Sequence, residues 1–509
     1  MDKVKTNQKG ENAEIVLIQP VTGAWDEMSI RFPESLLAVA ALPVSKGYRV
    51  RLIDRRISRN FQQELAVAVG PATRVFGVTA ITGEQIGYAL RTIDHLKERF
   101  PNIPVCVGGV HATLLPEQTV AHPKIDYVVV GDGDFVFCAL FERLRDQRPV
   151  DDLEGIVYKT PSGTIRSNPN RVIVDLDSLP PLPYELIDLA KYSVFHSPDG
   201  LRSATLHTSR GCPYRCNFCS GPVINRGIWR GLSVDRVLEK VDLLYTKYGY
   251  RLIYFQDDYF PGSKKRFVEI LHGLQRYRRE LLWSTLGIRA DILAELNDEE
   301  WELLYASGCH SLEIGIESGS ERIIRYINKG ETLDQMRTVN QRLARYDIKV
   351  KYTLIIGFPG ETPEEIEDTV RFASELEEVN PHAYCLIFNF MPMIGTSFYA
   401  DALQHGFDAP SSLEAWADMD FDGWMTKYTY MHDRPYARKL ELITFASYFH
   451  NQNVSYKFSG SKLLRFCFKL YHPVARWRFK QRYFGLPFEL YAKNWLLKIR
   501  YGSLRFTNN

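Results

Sequence analysis

The sequence predicts an α/β protein in three parts: an N-terminal doubly wound parallel sheet, a partial (β/α)6 barrel, and a small, mainly helical C-terminal domain. Three observations carry this. Strand-length apolar runs alternate with runs of helical spacing over residues 14–145, and again over 201–400. Between them, at 146–200, the alternation breaks into a hairpin pattern and the Pro-rich run DSLPPLPYELI, a linker. After 400 the βα rhythm ends, and residues 401–509 are basic, aromatic and helical in pattern.

The elements follow in order. AEIVLIQP (13–20) is an apolar run ending on a turn residue, hence a buried strand. ESLLAVAALPVSKGY (34–48) has helical spacing and closes on Gly47. YRVRLIDRR and RVFGVTAIT (74–82) give two more strands, and GEQIGYALRTIDHLKERFP (83–101) a helix stopped by Pro101. IPVCVGG (103–109) and IDYVVVG (125–131) complete five strands, and the rhythm is Rossmann-like. A hairpin is expected around Pro161-Ser162-Gly163. Six further strands follow: ATLHTS, RLIYFQ, WSTLGI, SLEIGI, KYTLII and AYCLIFNF. Some 200 residues fall short of the roughly 250 of eight βα units, so a six-unit, TIM-type partial barrel fits.

Composition bounds the function. The chain has 509 residues, 45% hydrophobic and 24% charged, an ordinary globular balance sized for about three domains. No run of about 18 apolar residues predicts a transmembrane helix. The polar start MDKVKTNQKGENA (a tail of residues 1–13) lacks a signal peptide's apolar stretch, so a cytoplasmic protein is expected. The net charge of +2 hides an asymmetry: residues 451–509 hold 12 basic residues and one acid, leaving 51 basic and 60 acidic before them. That tail also carries 14 aromatics, among them Phe466, Phe468, Trp477, Trp495 and Phe506. Basic residues interleaved with aromatics suit an anionic membrane surface, packed helices, or nucleic acid. The acidic body opposes the last, and no nucleic-acid partner is expected. A peripheral contact with the inner face of a membrane is the expectation taken forward.

Three of eight cysteines fall in Arg210-Gly211-Cys212-Pro-Tyr-Arg-Cys216-Asn-Phe-Cys219, directly after the first barrel strand. Cysteine thiolates hold iron–sulfur clusters. Three ligands on a four-iron cluster leave one iron open to chelate a substrate. The competing reading is zinc, which wants four ligands, usually in two spaced pairs. No second pair lies nearby, and His207, the one conceivable fourth ligand, falls in the strand.

CxxxCxxC at this position resembles the radical S-adenosylmethionine (SAM) superfamily. The resemblance implies a [4Fe–4S] cluster on Cys212, Cys216 and Cys219, and SAM beside it. Phe218 would pack by the cluster. Asp257 and Asp258 end the second strand, where the family faces the SAM amino group. Arg289 ends the third and would pair with the SAM carboxylate. Glu317, in EIGIESG at the end of the fourth, would meet the ribose. Gly357 and Gly360 end the fifth, where small residues admit the adenine. Met391-Pro392-Met-Ile-Gly395-Thr396 is similar to the family's closing turn.

The N-terminal sheet resembles the cobalamin-binding domain that precedes the barrel in one large radical SAM class. The resemblance spans about residues 13–405. It implies a cobalamin-binding domain at 14–145 and a radical SAM barrel at 201–400. Gly108-Gly109-Val110-His111-Ala112-Thr113 and Gly131-Asp132-Gly133 end the fourth and fifth strands and would let a ligand approach the backbone. Thr79, Ala80, Ile81 and Thr82 would lie under the corrin. No Asp-x-His-x-x-Gly loop is present, so base-off, His-off cobalamin is expected, with His111 not on cobalt.

The implied chemistry is reductive SAM cleavage to a 5′-deoxyadenosyl radical, followed by methylation of an unactivated carbon from methylcobalamin. An external electron donor of flavodoxin or ferredoxin type is implied. If the membrane reading holds, the substrate is hydrophobic: a lipid, isoprenoid, tetrapyrrole or natural product. One alternative is an oxidative cyclase or ring-rearranging enzyme, similar in layout to the anaerobic magnesium-protoporphyrin IX monomethyl ester cyclase. The other is a zinc-stabilised, membrane-associated binding protein. No catalytic acid, base or nucleophile stands out in the sequence.

Overall fold

The computed structural model describes residues 12–23, 26, 30–169, 173–192, 200–417, 419, 434–454 and 462–491. The first five strands are β1 (Ile15–Gln19), β2 (Val50–Asp54), β3 (Val75–Thr79), β4 (Val105–Gly108) and β5 (Tyr127–Val129). They pair in parallel in the order β2-β1-β3-β4-β5. The crossover helices are Glu34–Ser45, Phe61–Ala68, Glu84–Arg99 and the short pair Val110–Leu114 and Pro116–Ala121. All five residues of β1 and of β3 are buried, as helix-covered parallel strands require. The expected third strand, 74–82, runs from Val75 to Thr79, and residues 80–82 lie in the loop that follows.

The expected hairpin exists and extends the sheet. β6 (Ile156–Lys159) runs antiparallel to β5, and β7 (Ile165–Ser167) antiparallel to β6, which gives seven strands in all. The first part of the 146–200 stretch is therefore an edge of the N-terminal sheet.

The barrel strands are β8 (Ser203–Leu206), then a two-residue ribbon of β9 (Ser209–Arg210) and β10 (Arg230–Gly231), then β11 (Leu252–Phe255), β12 (Leu282–Ile288), β13 (Cys309–Glu317), β14 (Lys349–Ile356) and β15 (Ala383–Asn389). β8 and β11–β15 form one parallel sheet in sequence order, a six-unit open barrel. Local chemistry sets its helices. Asn297, Thr332 and Thr362 each close a capping box at the start of the helix after β12, β13 or β14, satisfying N–H groups that the first turn leaves free.

One face of the N-terminal sheet shares a continuous core with the barrel through Leu37, Phe137, Leu206 and Phe255. The other face has its own core, which Phe407, Leu413 and Trp416 join from beyond the barrel. Residues 401–417 thus pack on the N-terminal sheet. The helix Arg434–Ser447 instead packs on edge strand β15, where Ser447 Oγ accepts from the Ile387 N–H at 3.1 Å.

Candidate functional site

The cysteine loop runs between β9 and β10. Their antiparallel pairing, Ser209 to Gly231 and Arg210 to Arg230, clasps its base. Gly211 has φ 83°, and a Cβ there would stand 2.3 Å from the Ile228 carbonyl oxygen, so only glycine closes this turn. Cys212, Cys216 and Cys219 are unpaired and part-exposed. Burial pushes the Cys219 thiol up to about 11, and a bound metal cation would draw it to the thiolate. Among the described residues, no three His, Cys, Asp or Glu side chains converge on one point as a mononuclear zinc site requires. Three thiols that each meet a different iron of a cubane need no such convergence. Among the described residues His207 joins no group of ligands with the cysteines; its Nδ1 lies 3.0 Å from Glu34 Oε2.

Beside Cys216 lies one buried charge network. Lys329 Nζ is 3.0 Å from Glu317 Oε1 and 3.3 Å from Glu331 Oε2. Arg289 donates to the Lys329 carbonyl at 2.8 Å and to Asp291 at 2.8 Å. Its guanidinium lies 3.6 Å from the centre of the Tyr214 ring, inside the cysteine loop. Arg289 and Glu317 are thus brought together at the barrel mouth, with Lys329 between them. Glu317 holds φ 69°, a left-handed conformation that a non-glycine residue adopts only where its surroundings impose it. Lys329 and Glu331 escaped the sequence reading because they lie on a loop after a helix, in no strand-end pattern.

The two aspartates diverge. Asp257 Oδ1 accepts from Thr208 N, Thr208 Oγ1 and Ser209 Oγ at 2.8, 3.1 and 2.6 Å, fastening the chain just before the cysteine loop. Its Oδ2 is buried without a partner. Asp258 is exposed, 3.4 Å from Asn225 Nδ2, and within electrostatic reach of Cys212 and Cys219. Phe218 packs edge-on against Phe358, ring centres 5.8 Å apart. Gly357 and Gly360 both take positive φ, 82° and 69°. Between them and the next helix stands Glu361, also missed, though it is the next residue of the Gly-Phe-Pro-Gly run. Its Oε2 accepts from the Gly357 and Phe358 N–H groups, and burial pushes its carboxyl up to about 8.

Opposite the cysteine loop, the carboxyl edge of the N-terminal sheet opens a cleft of about 170 Å³. Gly109, Thr113, Gly131 and Asp132 line one side, and Ile224, Asn225 and Arg230 from the loop line the other. Gly109 takes φ 101°, and a Cβ there would stand 2.7 Å from the Ala80 carbonyl. Thr113 Oγ1 accepts from the Gly131 N–H at 3.0 Å, fixing the two strand ends to each other. Thr79, Thr82, Gly108, His111 and Gly133 do not line the cleft. Gly108 is the last residue of β4, Thr79 is buried behind Gly109, and Gly133 starts a helix. His111 is fully buried, with Nδ1 3.0 Å from Thr82 Oγ1 and its ring edge-on to Trp416. Burial pushes its imidazole down to about 4. Glycine at the approach and a cleft walled on its far side by the segment after the cysteines suit a planar cofactor.

A three-cysteine loop faced by such an edge fits a two-domain radical enzyme with a corrin-binding sheet. Sequence comparison agrees: residues 206–373 match the model of the radical SAM superfamily, and residues 33–141 that of the B12 binding domain. The chain belongs to the cobalamin-binding radical SAM enzymes, whose cofactors are a [4Fe–4S] cluster, SAM and cobalamin. It is 33% identical over 345 residues to the uncharacterized methyltransferase PH0819 of Pyrococcus horikoshii, covering 67% of this chain and 73% of that one. It is 28% identical over 310 residues to the anaerobic magnesium-protoporphyrin IX monomethyl ester cyclase of Rubrivivax gelatinosus, covering 59% of this chain and 54% of the cyclase. In fold it matches the cobalamin-dependent SAM radical enzyme OxsB (TM-score 0.68, 18% identity, 90% of this chain and 72% of that one). It also matches the radical SAM methyltransferase TsrM of Kitasatospora setae (TM-score 0.62, 18% identity, 80% and 81%).

Proposed function

We propose that this chain transfers a methyl group from cobalamin to an unactivated carbon of a substrate with an apolar body, such as a lipid, isoprenoid, tetrapyrrole or natural product. The observation that carries the reading is the cleft that sets the glycine edge of the N-terminal sheet against the cysteine loop. When bound, cluster and SAM together supply a hydrogen-abstracting radical, and the corrin supplies the methyl group. The chain's own residues bind and orient. Cys212, Cys216 and Cys219 hold the iron, with Phe218 against it. Arg289 and Lys329 offer positive charge to the SAM carboxylate, Asp258 faces its amino group while Asp257 fastens the chain before the cysteine loop, and Glu317 meets the ribose. Gly357 and Gly360 leave room for the adenine. Gly109, Thr113 and Gly131 would receive the corrin, with Thr79, Thr82, Gly108 and Gly133 behind them, and His111, turned into the core, would not serve as its ligand. An external one-electron donor of flavodoxin or ferredoxin type supplies the reducing equivalents.

The apolar body is supported from the C-terminal region. Among the described residues, seven of the sixteen exposed large apolar side chains lie between Phe466 and Tyr491, among them Leu470, Trp477, Leu486 and Phe488. Exposed Lys469, Arg476, Lys480 and Arg482 are interspersed with them. The one acid of the tail, Glu489, is buried against Arg478, so it does not offset those cations at the surface. No helix among the described residues is long and apolar enough to cross a membrane. Such a face fits a peripheral contact with anionic lipid; Trp495 and Phe506 lie outside the described residues. The contact is abandoned if the protein ignores anionic liposomes, or if a Leu470→Glu/Trp477→Glu variant still binds them.

The reaction is tested by turning over anaerobic, cobalamin-loaded enzyme with deuteromethyl SAM and host lipid and pigment extracts. A product heavier by one deuterated methyl group is expected. A product that loses hydrogen and gains no label is the cyclase outcome and overturns the methylation.

A further inference from the structure

The chain that leaves the helix Glu321–Tyr326 returns through a short loop, 327–331, that touches both halves of the site. On one side it holds the cysteine loop. The Asn217 N–H donates to the Ile327 carbonyl and Asn217 Nδ2 to the Tyr326 carbonyl, each at 2.9 Å, and Asn328 Nδ2 donates to the Arg215 carbonyl at 2.9 Å. Arg215 and Asn217 are the two neighbours of Cys216, so the chain is pinned on either side of that cysteine.

On the other side the same loop holds the residues set out for SAM. The Lys329 carbonyl accepts from the Arg289 guanidinium, and Lys329 Nζ spans Glu317 and Glu331. Glu331 Oε1 in turn accepts from the Asp291 N–H at 2.9 Å, two residues beyond Arg289. Left-handed turns at Asn328 (φ 54°) and Gly330 (φ 75°) flank Lys329, and the chain between them sends consecutive residues to opposite partners. The Lys329 side chain is 6% exposed. Burial opposes its charge, and the carboxylates of Glu317 and Glu331 outweigh burial and keep it an ammonium. That ammonium also lies within electrostatic reach of Cys216. A buried cation between acids is a weak device for stability alone. Here it also restrains Glu317, whose left-handed backbone persists only where its surroundings impose it.

We propose that Lys329 is a positioning residue that couples the SAM seat to the cysteine loop. Its side chain sets Glu317 for the ribose, its carbonyl sets Arg289 for the carboxylate, and its loop fixes Cys216 relative to both. Its positive charge favours the reduced form of a cluster held there. The inference rests on the placing of SAM against Arg289 and Glu317 and is independent of where the methyl group goes.

The test compares anaerobic holoenzyme of wild type, Lys329→Met and Glu317→Gln. Equilibrium dialysis with labelled SAM reads the seat, and a redox titration followed by electron paramagnetic resonance reads the cluster. Lys329→Met should bind SAM about ten- to a hundred-fold more weakly. At the wild-type midpoint potential its ratio of reduced to oxidised cluster should fall about three- to ten-fold, with iron content unchanged. Lys329→Arg, which keeps the charge, should restore that ratio. An ion pair that serves stability alone would move the thermal midpoint and neither readout. Either readout at the wild-type level in Lys329→Met overturns the coupling. If SAM affinity holds in Lys329→Met yet falls in Glu317→Gln, the positioning role fails alone; if it holds in both, the placing of SAM fails with it. If Lys329→Met loses its iron, Asn328→Gly decides, because it keeps the turn and the ion pairs and breaks only the bond to Arg215. Its SAM affinity should then drop about three- to ten-fold, and affinity at the wild-type level overturns the coupling.

Discussion

Arg210 forks its guanidinium onto both oxygens of Asp134, at 2.6 and 2.9 Å. The residue two before the first cluster cysteine is thereby tied to the start of a helix in the N-terminal sheet. Arg230, across the ribbon, reaches Asp132 on the same turn. The base of the cysteine loop and the glycine edge opposite it are thus one rigid piece.

Arg210→Lys keeps the charge but loses the bidentate fit. A loss of about 1.5–3 kcal/mol is expected, read as a lower thermal midpoint, together with reduced cobalamin occupancy at unchanged iron content. Unchanged occupancy would show that this clasp does not set the cleft.

Glu361 gives a pH dependence of definite sign. Its carboxyl is raised to about 8 by burial, so between pH 4.5 and 8 the folded chain holds a proton that the unfolded chain has lost. Stability from this group therefore falls as pH rises through that window. Glu361→Gln, which still accepts from Gly357 and Phe358, should flatten the curve of thermal midpoint against pH. A variant curve parallel to wild type would contradict the buried, protonated state.

His111 has the opposite sign. Burial lowers it to about 4, so the unfolded chain binds the extra proton between about pH 6.5 and 4, and stability falls as pH drops through that range. His111→Gln should remove this slope. Cobalamin on the wild-type enzyme, reduced to the Co(II) state, should show no nitrogen hyperfine splitting from a lower ligand. A histidine signature there would overturn the His-off assignment.

In the C-terminal region, Arg478 Nη2 meets Glu489 Oε2 at 3.0 Å, with 2% and 4% of the two side chains exposed. Arg478→Met alone strands a buried carboxylate and should cost about 3–5 kcal/mol. The double variant Arg478→Met/Glu489→Leu should recover most of that in chemical denaturation. Equal losses in single and double variants would show that the guanidinium's packing, rather than the stranded charge, is what matters.

Much of this was legible in the sequence because the signals are local. Strand runs, the spacing of Cys212, Cys216 and Cys219, and glycines at strand ends report on neighbouring residues. Glu34 and His207 carry no such signature: they lie 173 residues apart and meet only when two domains dock. Lys329 joins Glu317 twelve residues away by a fold-dependent return of the chain. The hairpin was visible, but its pairing with β5 was not, because an edge strand's partner is set by tertiary context. Charge counting likewise gives the tail twelve basic residues and one acid, whereas burial removes Arg478 and Glu489 from the surface.

The central claim is that the three-cysteine loop performs radical chemistry on SAM. Its most direct measurement is reductant-dependent formation of 5′-deoxyadenosine by anaerobically reconstituted enzyme, wild type against Cys216→Ala. The wild type should cleave SAM and the variant should not. Cleavage retained by the Cys216→Ala variant would contradict the account.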